Sequence, residues 1–267
     1  MTSATRSNVP TEPPPGRFLQ VLGLGIAPEW RRRDPVDRAA DMAAFRDAER
    51  AAEADGVAGL AYSSIGLETG VDLVLWRTAE TIDALEAAGA RTLRVGLGPW
   101  LTVRQSLIGR FSSSQYTARR TEQEEGLQAG ERSRYLVVYP FTKSNEWFLM
   151  PKELRQGVMN EHIRVGHAYP AIRQALAYSF GLDDQDFIVA YETDDLASFG
   201  ELVRELRSTE SRRSTVRDTP ILVGIRRSIE EIAELLGAAP EAMAEPTPAA
   251  DPSPVAEREV VGAGARP

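Results

Sequence analysis

Two periods of apolar residues take turns along residues 17–237. Short runs of strand length, alternating or continuous, are separated by longer stretches with helical spacing. Strands are expected at 18–26, 57–63 and 71–76, with a further strand-like stretch near 101–108. Between them, Asp34 caps a helix running to about residue 55, with Pro35 at its first position. A second helix starts at Thr78 and reaches about residue 96. The order then returns. A strand at 135–139 is followed by a helix at 151–168. Strands at 172–180 and 186–191 flank the turn Gly181-Leu182-Asp183-Asp184. Asp194 caps a helix to about residue 210, a strand at 220–225 closes the set, and a short helix covers 228–236.

The pattern is β-α-β-β-α-β, twice. VDLVLWRT (71–78) and QDFIVAYET (185–193) each precede a helix and resemble one another. The expected fold class is α+β, a duplicated ferredoxin-like arrangement with antiparallel sheets and helices on one face of each. The halves divide at 17–134 and 135–237. Residues 1–16, rich in Pro, Ser and Thr, and 238–267, rich in Ala, Pro and Glu, read as disordered tails.

Composition narrows the chemistry. The chain has no cysteine, which excludes disulfides, cysteine nucleophiles, iron–sulfur clusters and thiolate-ligated metals. It has two histidines, so any imidazole chemistry falls to His162 or His167. A net charge of −8, with arginines scattered, argues against a nucleic-acid partner. No apolar run is long enough to span a membrane, and the first residues lack a secretory apolar region. A cytoplasmic location is the expectation.

Leu154, Val158, His162 and Val165 recur at helical spacing, which places His162 on an apolar stripe. There it is either a structural histidine with satisfied nitrogens or a metal or haem ligand. His167 lies roughly 140° further around a regular helix, so the two histidines do not chelate one ion from it. In YLVVYPFTKSNEWFLM (135–150), Tyr135, Val137 and Tyr139 share a strand face, and Lys143 and Trp147 follow. This is either an aromatic core strand or a setting for an anionic redox cofactor. Gly23-Leu24-Gly25 lacks the third glycine of a dinucleotide loop. Asp183-Asp184 and Asp194-Asp195 are explained by turns and caps.

The motifs YPF-x-K-x3-W, E-H-x3-G, GLDD and TE-x-RR-x5-TP within 135–221 resemble the chlorite dismutase-like family, which includes coproheme decarboxylases and chlorite dismutases. The resemblance is strong over 135–225 and looser over 17–134. It implies a ferredoxin-like duplication assembled as a homopentamer. It also implies that His162 ligates haem iron, with Glu210 as the carboxylate that orients it. Tyr139 matches the tyrosine oxidised to a radical. Lys143 and Trp147 match positions beside the porphyrin, and Arg213 matches a propionate anchor. The implied activity is peroxide-dependent decarboxylation of iron-coproporphyrin III, substrate and cofactor at once, to haem b. A histidine on the other side of the iron is missing. Glu122, Gln123 or Gln174 would stand in for it. Chlorite dismutases carry an arginine thirteen residues after the proximal histidine. Here that count reaches Ala175, and Arg173, two residues earlier, shares its strand face. Another haem oxidoreductase activity, on chlorite or peroxide or in specialised metabolism, and a haem-binding protein without turnover remain alternatives.

Overall fold

The computed structural model describes residues 17–112, 116 and 132–239. The first set of elements is β1 (Phe18–Ile26), α1 (Pro35–Ala54), β2 (Ala58–Glu68), β3 (Val71–Ala79), α2 (Ile82–Arg94) and β4 (Leu101–Phe111). The second set opens with β5 (Tyr135–Lys143), α3 (Asn145–Leu149) and α4 (Lys152–His167). It continues with β6 (Arg173–Tyr178), β7 (Phe187–Thr193), α5 (Leu196–Leu206), β8 (Thr215–Arg217), β9 (Leu222–Arg226) and α6 (Ile229–Leu235).

The first four strands lie in the order β4-β1-β3-β2 and the second in the order β6-β7-β5-β9. Each is the ferredoxin-like order, and every pairing is antiparallel. β4 pairs with β6 and β2 with β9, so the two sheets close into one ring of eight strands, with β8 hung on β5. Closure leaves the ring without a free edge to recruit other chains.

Because strand side chains alternate, the ring has an apolar inside and two outer faces. Leu19, Val21, Trp76, Leu107, Val138 and Ile188 fill the inside. On the outer face of the first half, Leu22, Leu24, Leu73 and Leu75 pack under Met42 and Phe45 of α1 and Ile232 of α6. The same face of the second half lies under α4 and α5.

Several boundaries differ from the sequence expectation. β3 runs on to Ala79, because Thr78 and Ala79 still pair with β1, so Thr81 rather than Thr78 caps α2. Asp195, not Asp194, caps α5; Asp194 instead accepts from the Arg134 amide. α5 stops at Leu206, and a 3-10 turn covers Glu210–Ser214. Strand β5 continues through Pro140 to Lys143. Proline is tolerated there because β9 pairs with β5 only as far as Val138 and β8 begins at Thr142, so no neighbour on that side needs its missing N–H. Ala238 and Ala239, assigned to the tail by composition, belong to the fold: Ala238 is buried against the first-half core and the Ala239 amide bonds to Pro35. Residues 1–16 and 240–267 lie outside the described residues, as do Glu122 and Gln123.

One polar cluster inside the ring joins the halves. Glu192 is fully buried and accepts from Tyr62 Oη at 2.6 Å and from Arg132 Nε at 2.8 Å. Removing one member leaves the others charged or polar in a closed core. Glu192→Ala is therefore expected to cost about 3–5 kcal/mol, read as a lower urea midpoint with an unchanged slope.

Candidate functional site

The outer face of the second half is not filled as the first is. Tyr139 and Phe141 on β5, Gln174 and Leu176 on β6, and Val189 and Tyr191 on β7 form a floor. α4 and α5 roof it, and between them lies a cavity of about 350 Å³. That is within the range of small-molecule sites. The roof explains the space. α1 buries Ala39, Met42 and Phe45, whereas α4 buries only Val165. The face α4 turns to the cavity carries Arg155, Met159, His162, Ile163 and Gly166. The expected stripe is rotated, and Leu154 is 61% exposed.

His162 lines the cavity. Its imidazole is held neutral, with the pKa pushed down to about 4, first by burial and then by the charge of Lys143. Its Nδ1 is buried without a hydrogen-bond partner. A neutral ring nitrogen is the form that ligates iron, so the residue fits a porphyrin metal better than it fits a satisfied structural role. Between pH 6.5 and about 4 an unfolded imidazole binds a proton that the folded one refuses. Stability is expected to fall with pH across that window, and His162→Leu to flatten the fall, as measured by urea unfolding.

Tyr139 is half-buried, and its ring stands 6.4 Å from that of Tyr191. Burial, then the Tyr191 phenol, hold its pKa well above the ordinary tyrosine value. Lys143, 7% exposed, donates from Nζ to the carbonyl and hydroxyl oxygens of Ser211 at 2.7 and 2.9 Å. The ammonium also sits 4.4 Å from the ring centre of Trp147. Burial, assisted by Arg212, lowers its pKa to about 8. Trp147 is buried and lines the cavity, with Tyr116 edge-on at 6.4 Å.

Three expected residues stand elsewhere. Glu210 does not meet His162; its half-exposed carboxylate pairs with Arg213 at 3.3 Å, while its amide bonds to Glu161. Arg213 is 81% exposed and turned away from the cavity. Arg212 lines it instead and bonds to Asp218 at 2.5 Å. The reason is geometric: at three residues per turn, one step along the 3-10 turn rotates a side chain about 120°. Arg173 lies opposite Glu192 and shares the face of Ala175 and Ala177, which points inside the ring. Gln174, paired with Tyr191, is the side chain that faces the cavity. Sequence reasoning missed Tyr191, Arg155 and Arg207. The alternation of β7 places Tyr191 on the face of Val189, and the turn of α4 places Arg155 one turn before Met159. Neither signal says which face is left uncovered.

Fold and site together define a duplicated ferredoxin-like barrel with a ligand cavity, cationic and aromatic, in its second half. The family model described as chlorite dismutase matches residues 38–227, and the chain belongs to that family. It is 30% identical over 224 residues to the coproheme decarboxylase of Mycolicibacterium smegmatis, covering 81% of this chain and 92% of that protein. It is 27% identical over 189 residues to the chlorite dismutase of Ideonella dechloratans, covering 66% of this chain and 65% of that protein. A solved structure of a mutant chlorite dismutase from Candidatus Nitrospira defluvii superposes with a TM-score of 0.75 at 26% identity, covering 83% of this chain and 95% of that one. Among the described residues no helix is long and apolar enough to cross a membrane.

Proposed function

We propose that the chain binds iron-coproporphyrin III in this cavity and, with hydrogen peroxide, converts two of its propionates to vinyl groups to give haem b. The observation that carries the reading is the meeting of a neutral, half-buried His162 and a half-buried Tyr139 in one cavity. A relative matched over 92% of its length is a coproheme decarboxylase, which supports the substrate. His162 is the residue that holds the iron. Lys143, Arg155, Arg207 and Arg212 supply four cations to the lining, against one carboxylate, Asp218. Asp218 is already bonded to Arg212, while the side chains of Arg155 and Arg207 make no ion pair among the described residues. Free cations around an apolar slot suit a planar ligand with several carboxylates.

The bound iron porphyrin and peroxide supply the oxidising power. Tyr139 gives up its hydroxyl hydrogen and then takes one from the propionate carbon next to the porphyrin ring. The remaining electron goes to the second oxidising equivalent supplied by peroxide as the carbon–carbon bond breaks, carbon dioxide leaves and the side chain becomes vinyl. Lys143 and the arginines hold the carboxylates, and the apolar walls keep water from the radical. Gln174, on the sheet floor of the cavity below the helix that carries His162, would supply a polar group to peroxide. Arg173 points into the ring, so the chlorite reading lacks its arginine in the cavity.

Titrating the iron-coproporphyrin complex with peroxide tests the reading by mass spectrometry of the porphyrins. Two successive losses, each of a carboxyl group and one further hydrogen, are expected. Recovery of uncut or merely bleached porphyrin would overturn it. Arg155→Met and Arg207→Met are each expected to weaken binding of coproheme, with four propionates, about tenfold, and of haem b, with two, by less. Fluorescence quenching on porphyrin binding reads both. The same reading carries a homopentamer and a cytoplasmic setting. Exposed Leu149 and Leu154 offer apolar surface that a neighbouring copy would cover, and the mass in solution checks the assembly.

A further inference from the structure

We propose that Tyr191 is the redox partner of Tyr139, the two phenols forming a dyad that shares one radical by passing a hydrogen atom between their oxygens. The inference rests on the role proposed above for Tyr139.

The geometry begins in the sheet. β5 and β7 are neighbouring antiparallel strands, with Tyr139 opposite Val189 and Val137 opposite Tyr191. Tyr139 and Tyr191 are thus diagonal neighbours on the cavity face, close enough for long side chains to meet. Their ring centres lie 6.4 Å apart with planes tilted by 32°, and each phenol perturbs the ionisation of the other. Tyr191 is 5% exposed. Around it stand Phe199, at 5.2 Å between ring centres, with Val165, Ile172 and Leu202, and Gln174 is its cross-strand neighbour on the cavity face.

Such surroundings restrict the chemistry. Burial pushes the Tyr191 phenol up to about 12, and burial also raises Tyr139 well above its ordinary value. A phenolate or a charged phenol radical is therefore costly at either position, and an electron leaves only with a proton. Exchange within the dyad meets that condition. The O–H bond of Tyr191 breaks, the O–H bond of Tyr139 forms, and one proton and one electron move together. No charge appears, and the two sides of the step are chemically alike. Once Tyr139 has lost its hydrogen, its oxygen only accepts, so the Tyr191 hydroxyl rotates to donate to it.

Tyr139 is touched by the charges of Asp218 and Arg207, whereas Tyr191 is shifted by burial and by Tyr139 alone. The dyad therefore gives the radical two unequal resting places. One faces the ligand's carboxylates and the other lies among Phe199, Leu202 and Gln174, away from charged groups. A radical held at the second is kept from wasteful reactions until a propionate is seated.

The test is electron–nuclear double resonance on the iron-coproporphyrin complex, frozen after one equivalent of hydrogen peroxide. The parent chain is expected to show a tyrosyl radical with one strong proton coupling that disappears in D2O. Tyr191→Phe, which removes only the hydroxyl, is expected to keep the radical on Tyr139, lose that coupling, and shorten the radical's life about fivefold, the worth of one hydrogen bond. A ligand-free readout accompanies it: Tyr191→Phe shifts the infrared C–O stretch of isotope-labelled Tyr139. Haem b formation with the coupling unchanged in Tyr191→Phe would overturn the dyad and leave the decarboxylase reading standing. Absence of both product and tyrosyl radical from the parent chain would overturn the two together.

Discussion

Replacing Tyr139 by phenylalanine is expected to lower the conversion of iron-coproporphyrin to haem b by about 10³-fold or more, the scale seen when a group that takes part in the chemistry is removed. Binding should change little. The ring remains in its place on the floor of the cavity, and the cations of the lining are untouched. The cost to folding is small, about 1 kcal/mol at most, because only a hydroxyl is removed and the ring keeps its contacts. Stopped-flow absorbance with peroxide and equilibrium binding without it separate the two effects. A variant that still turns over at a comparable rate would remove Tyr139 from the mechanism, whatever its burial and partners.

His162→Ala carries the second large effect. The imidazole is the neutral nitrogen base in the roof of the cavity, and its Nδ1 already lacks a partner. Affinity for the iron porphyrin is expected to fall by about two orders of magnitude or more, at or above the upper end of what the loss of an outer partner of a metal ligand costs. The Soret band should move to the position of a porphyrin iron without a histidine. Metal-free coproporphyrin, held by the carboxylate-binding cations and the walls, should bind the variant and the parent alike. Added imidazole should restore the parent spectrum, because removal of the side chain leaves room for it. Equal iron-porphyrin binding and spectra in both proteins would displace His162 as the ligand.

Much of the fold and part of the site are legible in the order of residues. Strand and helix periods alone give β-α-β-β-α-β twice, because each element must present one apolar face and the two periods differ. The motifs of 135–221 lead to the family, and they point to His162, Tyr139, Lys143 and Trp147, all of which line the cavity. The misassignments lie at single-residue precision. Arg213 and Arg212 are adjacent in the chain and 120° apart on a 3-10 turn. Arg173 and Gln174 are adjacent and on opposite faces of a strand, one inside the ring and one in the cavity. A count along the chain cannot resolve either pair without the phase of the local backbone. The place of Glu210 in its motif predicts that it orients the histidine. Its pairing with Arg213 depends instead on where α5 ends, four residues earlier than the pattern suggests.

By itself, the sequence determines the elements, their duplication, the absence of thiol chemistry and the residue types available for a haem-like ligand. These follow from local periodicity and composition, which a chain carries whether folded or not. Only the tertiary structure decides that the two sheets close into one ring, that the outer face of the first half is packed and that of the second is left open. The same closure sends Arg173 inward with Glu192 and brings Tyr191 to Tyr139. Those outcomes depend on contacts between residues far apart in the chain, and on how well α4 fills the space beneath it. No period along the chain encodes either.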